Sequence, residues 1–410
     1  MKVLFLGGVL AESNENEVIA NSKRGVEFSA NEFQKKLISG FEQNGIDVHV
    51  ISAPMIGSFP FRYKKACFHG FETVQNRYQY VHFNNIWGYR NISRTYSLKQ
   101  AIKKHLHTKK SDYKLIVAYS AHTPFLEAAV YAKRMCPGSS LCFIVPDLPQ
   151  YMNLDDNRSM LYDLLKKYDI KKMESLIPQV DCFLVLTEPM KEMLHVGDRP
   201  YIVVEGIIDA APIINDHFTG NYSDGIKRIV YTGKMNVRFG VKDLVDTFIQ
   251  LRGAEYRLIL CGDGDAKEYI IEKSKQDDRI EYKGQVSPAE ARKWIMKADV
   301  LVNPRPNNEE YTKYSFPSKN IEYLLSGKPV VAYMLDGMPR YYEEFIYEVK
   351  PSLDEPKLTN AILKAINRED HEKKTDLFFK YANEHLSKKT IANAIVKLSN
   401  ELTGLGKWYM

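Results

Sequence analysis

The sequence predicts an α/β fold with two halves of similar plan, and three observations lead to this prediction. Short apolar runs of strand length alternate with stretches whose apolar residues recur at helical spacing, which is typical of parallel sheets covered by helices. The chain of 410 residues is long enough for two domains of ordinary size. Its 44% hydrophobic and 26% charged residues are those of an ordinary globular protein.

The first half begins with a predicted strand at Lys2–Leu6, and Gly7 and Gly8 turn the chain sharply out of it. This turn is not a G-x-G-x-x-G motif, which disfavours an NAD-dependent enzyme. An amphipathic helix over 27–44 and a strand over Asp47–Ile51 complete a βαβ unit. Three further strands are predicted in this half, at Tyr113–Tyr119, Leu141–Val145 and Cys182–Leu186.

Two polar residues follow strands of the first half, at the end where open parallel sheets bind ligands. His122 comes after Tyr113–Tyr119, and an imidazole there can donate to a hydroxyl or share a proton near neutral pH. Asp147 comes after the next strand and is a candidate for holding acceptor hydroxyls. A helix-capping or packing histidine and a loop-structuring aspartate are the alternative interpretations.

The second half restarts a sheet at 228–232, and Gly233-Lys234 follows that strand. The next predicted strand, Arg257–Cys261, is followed by Gly262-Asp263-Gly264-Asp265. Glycines at such turns allow a ligand to approach the backbone closely.

The stretch Ala298–Tyr333 carries the most informative pattern. A buried strand at Val300–Val302 leads through a loop rich in Pro and Asn into a helix. Ser315 or Ser318 is expected to cap this helix, with Pro317 in its first turn. Gly327 fits the position just past the helix end, and a second strand follows.

The start of that helix is a natural seat for a phosphate, because unpaired N–H groups and the positive end of the helix dipole meet there. Lys319 lies in the first turn, and a bound anion would offset its unfavourable position against the dipole. Glu322 lies one turn further on, where a carboxylate can accept hydrogen bonds from the two hydroxyls of a ribose. The alternative is a solvated lysine and a surface glutamate.

This stretch resembles the nucleotide-sugar signature of the family-four retaining glycosyltransferases. The family pattern is a Glu, seven residues and a second Glu, followed by a helix that ends in Gly-Lys-Pro-Val-Val. Glu322 takes the second Glu position, Gly327–Val331 match the tail, and Tyr314 stands at the first Glu position. The form Phe316-Pro317-Ser318-Lys319 resembles a sub-branch in which Lys319 carries part of the diphosphate contact.

The resemblance implies the GT-B fold, in which two Rossmann-like doubly wound domains face each other across a cleft. The expected domains are an acceptor-binding domain over 1–207 and a nucleotide-sugar-binding domain over 208–385, with the linker between about 208 and 225. A C-terminal helix over 386–410 is expected to pack back on the first domain.

The resemblance also implies a set of site residues. In the family the turn after the first strand of the second domain carries Gly-Arg, then a Lys five residues beyond the Arg, then Gly. Here Lys234 stands at the Arg position, Phe239 at the Lys position, and Arg238 is one residue early. Glu309 and Glu310 are weak substitutes for the missing first carboxylate. The expected catalytic residues are His122, Lys234, Arg238 and Lys319; those expected to bind the donor are Gly8, Gly233, Gly262, Gly264, Arg305, Ser318, Lys319 and Glu322; Asp147 is expected to bind the acceptor.

The implied activity is transfer of a hexose-type sugar, with retention, to a carbohydrate or lipid-linked acceptor in surface polysaccharide or glycan biosynthesis. The expected co-substrate is a UDP-sugar, with no other cofactor and no metal. Two alternatives stay open. Tyr314 and Phe239 suggest a catalytically silent subunit that scaffolds another transferase. An epimerase or hydrolase of nucleotide sugars could use the same fold.

A basic stretch in the first half suggests a further partner. Residues 62–114 contain twelve Lys and Arg and only two acidic residues, interleaved with aromatic rings. This combination suits an anionic membrane surface, and a solvated basic face is the alternative. Nucleic acid is not an expected partner, and the oligomeric state is left open.

The expected location is the cytoplasm, with peripheral binding to the inner face of the membrane. The five cysteines include no C-x-x-C pair, which fits a reducing compartment. No apolar run approaches the roughly 18 residues that span a bilayer.

Overall fold

The computed structural model describes residues 1–23, 28–72, 77–108, 112–151, 160–211, 224–350, 357–368 and 370–401. The chain divides into two compact units, one formed by Met1–Asp209 with His385–Met410 and the other by Ala210–Glu384. Lys109 and Lys110 of the basic stretch, most of the predicted linker and the end of the predicted C-terminal helix lie outside the described residues.

The first unit is built on one large sheet. Its strands are β1 (Lys2–Gly7), β2 (Asp47–Ser52), β3 (Cys67–Phe68), β4 (Phe71–Glu72), β5 (Tyr78–Tyr80), β6 (Phe83–Asn84), β7 (Leu115–Tyr119), β8 (Ser140–Val145), β9 (Cys182–Val185) and β10 (Tyr201–Val203). Eight of them form a sheet in the order β10-β9-β8-β7-β1-β2-β5-β4, and β3 pairs separately with β6. Within the eight-stranded sheet only β4 runs antiparallel to its neighbour.

Helices cover this sheet. They are α1 (Glu12–Asn21), α2 (Ser29–Gln43), α3 (Arg90–Thr108), α4 (Thr123–Met135), α5 (Met160–Leu176) and α6 (Met190–Met193). The apolar side chains of β1 and the Leu37, Ile38 and Phe41 side chains of α2 are buried together, which explains why both elements were predictable.

The second unit contains a six-stranded, fully parallel sheet. Its strands are β11 (Lys227–Thr232), β12 (Tyr256–Cys261), β13 (Ile280–Gly284), β14 (Val300–Asn303), β15 (Val330–Ala332) and β16 (Tyr347–Glu348), in the order β13-β12-β11-β14-β15-β16. Its helices are α7 (Val241–Gln250), α8 (Lys267–Gln276), α9 (Pro288–Lys297), α10 (Ser318–Leu325), α11 (Lys357–Ile366) and α12 (His371–Tyr381). The predicted α/β class with parallel sheets is confirmed.

The last helix, α13 (Lys388–Glu401), belongs to the first unit. It packs against α2, where the side-chain amide of Asn44 donates to the carbonyl of Lys389 at 2.9 Å. Gly40 makes the approach possible, because a Cβ there would lie 2.1 Å from the Lys388 carbonyl oxygen. None of the described helices is long and apolar enough to cross a membrane.

Candidate active site

The loops after β11 and β12 lie at one edge of the second sheet and pack directly on each other. The N–H of Gly233 donates to the Cys261 carbonyl at 2.9 Å, and that of Met235 donates to the Asp263 carbonyl at 3.0 Å. Gly262 has a φ of +147°, and a Cβ there would lie 1.7 Å from the Gly233 carbonyl oxygen. These glycines, predicted to contact the donor, therefore already have a packing reason to be glycine.

Gly264 shows the same close approach, since a Cβ there would lie 2.4 Å from the Met235 carbonyl oxygen. Lys234 is held in the same loop, and its carbonyl accepts a hydrogen bond from the Tyr231 hydroxyl at 3.0 Å. The loops after β11 and β12 are thus held together by backbone hydrogen bonds and close backbone contacts at this edge of the sheet.

The buried Tyr323 connects helix α10 to the end of strand β11. The N–H of Thr232 donates to the Tyr323 hydroxyl oxygen at 2.8 Å, and that hydroxyl is 3.1 Å from the Thr232 carbonyl, to which it donates. Burial raises the pKa of Tyr323, so the hydroxyl keeps its proton. Tyr323 was not predicted from the sequence, although a buried tyrosine on an apolar helix face has a hydroxyl that needs a hydrogen-bond partner.

Helix α10 begins at Ser318 after Pro317, and no side chain caps it. The predicted cap is therefore wrong. Ser315 is instead engaged by Arg305, whose Nη2 donates to the serine hydroxyl at 2.6 Å. The first N–H groups of any helix have no hydrogen-bond partner within the helix, and here these include the N–H groups of Ser318 and Lys319. Since no side chain caps the helix, these groups can donate to a ligand.

The two charged residues predicted to bind the donor contact each other. Lys319 Nζ lies 2.6 Å from Glu322 Oε2, and the two side chains are 35% and 47% exposed. An exposed pair of this kind contributes about 0.2–1 kcal/mol, so a ligand with stronger hydrogen bonds could replace it.

Two arginines form cation–π contacts with the ring of Tyr311 at the same edge of the second sheet. The guanidinium carbon of Arg305 lies 4.7 Å from the ring centroid, and that of Arg238 lies 5.0 Å from it. Arg238 also forms an ion pair with Glu309. Arg305 lies 5.5 Å from the Phe239 ring, and its Nε is buried with no hydrogen-bond partner.

Glu309 is therefore the counterion of Arg238, a role that was not predicted from the sequence. Tyr311 was not predicted at all. Tyr314 ends the short 3₁₀ turn Glu310–Tyr314 that holds this loop.

In the first unit, Gly8, His122 and Asp147 follow β1, β7 and β8, which are neighbours in the sheet. The N–H of Gly8 donates to Gln34 Oε1 at 2.9 Å, and a Cβ on Gly8 would lie 2.3 Å from Met55 Cγ. Asp147 is exposed. Gln34, which fixes this turn from helix α2, was not predicted.

His122 is half-buried and precedes helix α4 without capping it. Burial, with the charges of Arg94 and Arg90 adding to it, lowers the pKa of His122 to about 4. The imidazole is therefore neutral at neutral pH, which suits a hydrogen-bonding role towards a sugar.

The predicted residues thus fall into two sets. Gly233, Lys234, Arg238, Gly262, Gly264, Arg305, Ser318, Lys319 and Glu322 follow the adjacent strands β12, β11 and β14 of the second sheet. Gly8, His122 and Asp147 form the other set, in the first unit. Within the described residues, no group of three or more His, Cys, Asp or Glu side chains is placed to hold a metal ion.

Solved structures similar to this one cover nearly the whole chain. Sucrose-phosphate synthase from Thermosynechococcus elongatus is 15% identical with a TM-score of 0.62, and the match covers 98% of this chain and 99% of that one. The Anabaena protein HepE in complex with UDP is 14% identical with a TM-score of 0.59, over 99% and 100% of the two chains. WaaG, a glycosyltransferase involved in lipopolysaccharide biosynthesis, is 12% identical with a TM-score of 0.58, over 96% and 99%.

These likenesses establish the fold of the chain as that of the GT-B glycosyltransferases. Residues 226–368 match the family described as "Glycosyl transferases group 1", so this part of the second unit is similar to that family. The comparison with curated proteins gives no match.

Proposed function

We propose that this protein is an active transferase that moves a hexose-type sugar from a nucleotide-sugar donor to a carbohydrate or lipid-linked acceptor. The observation that carries the proposal is the arrangement at helix α10, where Lys319 and Glu322 stand at an uncapped helix start beside Arg305 and Arg238. An uncapped helix start with adjacent cations favours a diphosphate.

In this proposal the donor displaces the contact between Lys319 and Glu322. Lys319, Lys234 and Arg238 bind the diphosphate, and Glu322 accepts hydrogen bonds from the ribose. Hydrogen bonds to charged groups contribute about 1.5–3 kcal/mol each, which exceeds the about 0.2–1 kcal/mol of an exposed ion pair. The exchange therefore favours the bound donor.

Arg305, Ser318 and the turns around Gly233, Gly262 and Gly264 complete the donor site. We propose UDP as the nucleoside diphosphate, and the Anabaena protein in complex with UDP or UDP-glucose supports this choice. The cations and the helix dipole would stabilise the leaving diphosphate without a metal ion.

The first unit would supply the acceptor side of the reaction. His122 would hydrogen-bond the transferred sugar, Asp147 would hold acceptor hydroxyls, and Gly8 would allow close approach of the ligands. The bond between the anomeric carbon and the leaving phosphate breaks as the acceptor oxygen attacks that carbon from the same face. The leaving phosphate takes the acceptor's proton, and the configuration is retained, as the resemblance to the family-four enzymes implies.

The same resemblance suggests a role in surface polysaccharide or glycan biosynthesis, with the enzyme in the cytoplasm and bound peripherally to the membrane. In the basic stretch at 62–114, Arg94 and several of the interleaved aromatic side chains, such as Tyr63, Tyr80 and Phe83, are buried. Exposed apolar residues occur on α3, within this stretch, and on α5, and Ile92, Tyr96, Leu161, Leu164 and Tyr168 are each more than half exposed.

Helices α3 and α5 are linked, because Lys99 and Lys172 both contact Glu127 of α4. Lys103, Lys167 and Lys171 are exposed on the same two helices. Apolar side chains with lysines around them suit an anionic lipid surface, so we propose this face of α3 and α5 as the membrane contact.

Binding of nucleoside diphosphates tests the donor site, and product analysis tests the reaction. A silent subunit would give no product with any acceptor, and an epimerase would convert the nucleotide sugar without one. Transfer of radiolabelled sugar from UDP-sugar to an acceptor fraction, with no isomerised donor, is the expected result. Donor conversion in the absence of an acceptor would contradict the transferase proposal.

A further inference from the structure

Arg94 of helix α3 is a buried cation without a counterion. Its side chain is only 3% exposed, and its guanidinium carbon lies 4.5 Å from the centroid of the Phe83 ring. Nη2 donates to the Pro54 carbonyl at 2.5 Å, whereas Nε is buried without a hydrogen-bond partner. Within the described part of the chain, no carboxylate forms an ion pair with it.

Arg90 lies one helical turn before Arg94, on the same side of α3. Its Nη1 donates to the Ile56 carbonyl at 3.0 Å, and no carboxylate among the described residues lies within ion-pair distance of it. Asp169 of α5 is the carboxylate that acts on Arg90 electrostatically, from beyond ion-pair distance, and it accepts a hydrogen bond from Asn91 at 3.5 Å. Arg62, which is exposed, adds another positive charge nearby.

The position of the two arginines is that of a ligand site. Pro54 and Ile56 follow strand β2, and His122, whose pKa the charges of both guanidiniums lower, follows strand β7. These strand ends lie at the carboxyl edge of the sheet, where open parallel sheets bind ligands. His122 and Arg90 are only partly buried, so solvent reaches part of this cluster, whereas Arg94 lies beneath them.

Two neighbouring guanidiniums carry a large desolvation cost unless an opposite charge and further hydrogen bonds compensate them. Burial lowers the pKa of both Arg94 and Arg90, which reflects this missing compensation. A phosphate monoester, with two negative charges and three acceptor oxygens, matches two guanidiniums.

We infer that Arg90 and Arg94, beside His122, form an oxyanion site that binds a phosphate group carried by the acceptor. That the acceptor carries this phosphate depends on the proposed function, whereas phosphate binding at these residues does not. The site belongs to the first unit, and none of the donor-binding residues of the second unit takes part in it.

A purely structural role is the competing explanation, because Arg94 also fixes the loop after β2 and stacks on Phe83. The two explanations differ in what phosphate does. A structural arginine makes stability depend on the residue, but phosphate would not stabilise the protein more than another salt of equal ionic strength does.

The test uses the full chain and measures binding of inorganic phosphate by calorimetry and thermal shift, with sodium chloride added to match the ionic strength. Wild-type protein is expected to bind phosphate and to melt at a higher temperature in its presence. Arg90→Gln is expected to bind phosphate about tenfold more weakly, the effect of one lost charged hydrogen bond. Arg77→Gln is the matched control, because Arg77 is a half-exposed arginine of the same unit paired with Glu42.

Arg94→Met gives a second variant, and the His122 imidazole resonance gives a readout that does not depend on a variant folding. Bound phosphate is expected to raise the pKa of His122, because an anion beside the ring favours its charged form. No phosphate-specific stabilisation, an unchanged affinity in Arg90→Gln, or an unchanged His122 titration would overturn the inference.

Other ligands identify the source of the phosphate. Glucose 6-phosphate binding more tightly than glucose would assign a soluble sugar phosphate, and Arg90-dependent binding to vesicles with phosphatidic acid would assign a lipid phosphate. Glucuronate binding in place of both would overturn the phosphate assignment. Phosphate binding without UDP binding would leave this site standing and count against the proposed function, whereas UDP binding without phosphate binding would do the reverse.

Discussion

Lys319 Nζ lies 2.6 Å from Glu322 Oε2 at the start of helix α10, so the two residues that resemble donor ligands neutralise each other. The pair is exposed enough for water to weaken the attraction, and only about 0.2–1 kcal/mol is lost when a ligand separates the two charges. A donor that brings its own diphosphate and ribose would replace one weak contact with several charged hydrogen bonds.

Glu322→Ala is expected to weaken UDP binding by roughly 1–3 kcal/mol, the range for losing hydrogen bonds to a charged group. Calorimetric titration of the full chain measures this. Glu281→Ala is the matched control, since Glu281 forms a similar exposed pair with Lys283 in the same unit. Equal UDP affinity in wild type and Glu322→Ala would remove the ribose assignment.

Arg238→Met is expected to weaken UDP binding about tenfold, because a guanidinium beside the diphosphate contributes a charged hydrogen bond. The loss should shrink as salt is added, since Arg238 is partly exposed and screened. Arg228→Met serves as the control, because Arg228 lies at the opposite end of strand β11. If both variants bind UDP equally well, Arg238 is not a diphosphate ligand.

Glu309→Gln tests whether the ion pair between Glu309 and Arg238 affects UDP binding. Removing this carboxylate removes the ion pair that competes with a diphosphate for Arg238, so the affinity for UDP is expected to stay the same or to increase. The same calorimetric titration measures this. A loss of affinity as large as that of Arg238→Met would show that Glu309 itself contributes to binding.

Tyr323→Phe is expected to lower the free energy of unfolding by about 1–3 kcal/mol, because it leaves the buried N–H and carbonyl of Thr232 without their partner. Urea unfolding monitored by circular dichroism measures the change. Tyr341→Phe removes the exposed hydrogen bond to Tyr381 and should change stability by only about 0.5 kcal/mol. Equal effects of the two substitutions would contradict the anchoring role of Tyr323.

His122 makes stability depend on pH in a direction that can be tested. Its pKa of about 4 in the folded chain lies below the ordinary value of 6.5, so between these values the unfolded chain binds the extra proton. The contribution is complete above pH 6.5 and is lost as the pH falls towards 4. His122→Gln is therefore expected to lose less stability than wild type between pH 7 and pH 4, measured by urea unfolding at each pH. Identical pH profiles would show that the imidazole is not held neutral.

The exposed face of α3 and α5 predicts lipid binding. Replacing Leu161 and Leu164 with serine should reduce co-sedimentation with anionic liposomes, and charge reversal at Lys103 and Lys104 should make the remaining binding less sensitive to salt. Ile249→Ser, an exposed apolar residue of the second unit, is the control. Unchanged sedimentation of both variants would mean that this face is simply solvated.

The central strands of both sheets were predictable because they are continuous apolar runs buried on both faces, as in Val3–Leu6 and Val300–Val302. The short strands β4, β5, β10 and β16 were not predicted, because two or three residues do not make a recognisable apolar run. Helix α5 was not predicted, because its exposed face carries Leu161, Leu164 and Leu165 and so obscures the amphipathic pattern.

The site residues show where sequence reasoning stops. Ser315 had the right type and spacing for a helix cap, but its hydroxyl accepts a hydrogen bond from Arg305 instead. Arg90 and Arg94 were counted with a basic surface, whereas Arg94 shares the buried side of α3 with Leu98. Such long-range contacts depend on tertiary packing, which local spacing does not encode.

The most direct test of the account is the thermal shift of wild type and Glu322→Ala with UDP, GDP, ADP, CMP and NAD, each with and without EDTA. We expect UDP alone to raise the melting temperature of wild type, equally in the presence of EDTA, and to have a smaller effect on Glu322→Ala. No shift with any nucleoside diphosphate, or an equal shift in the two proteins, would contradict a donor site at helix α10.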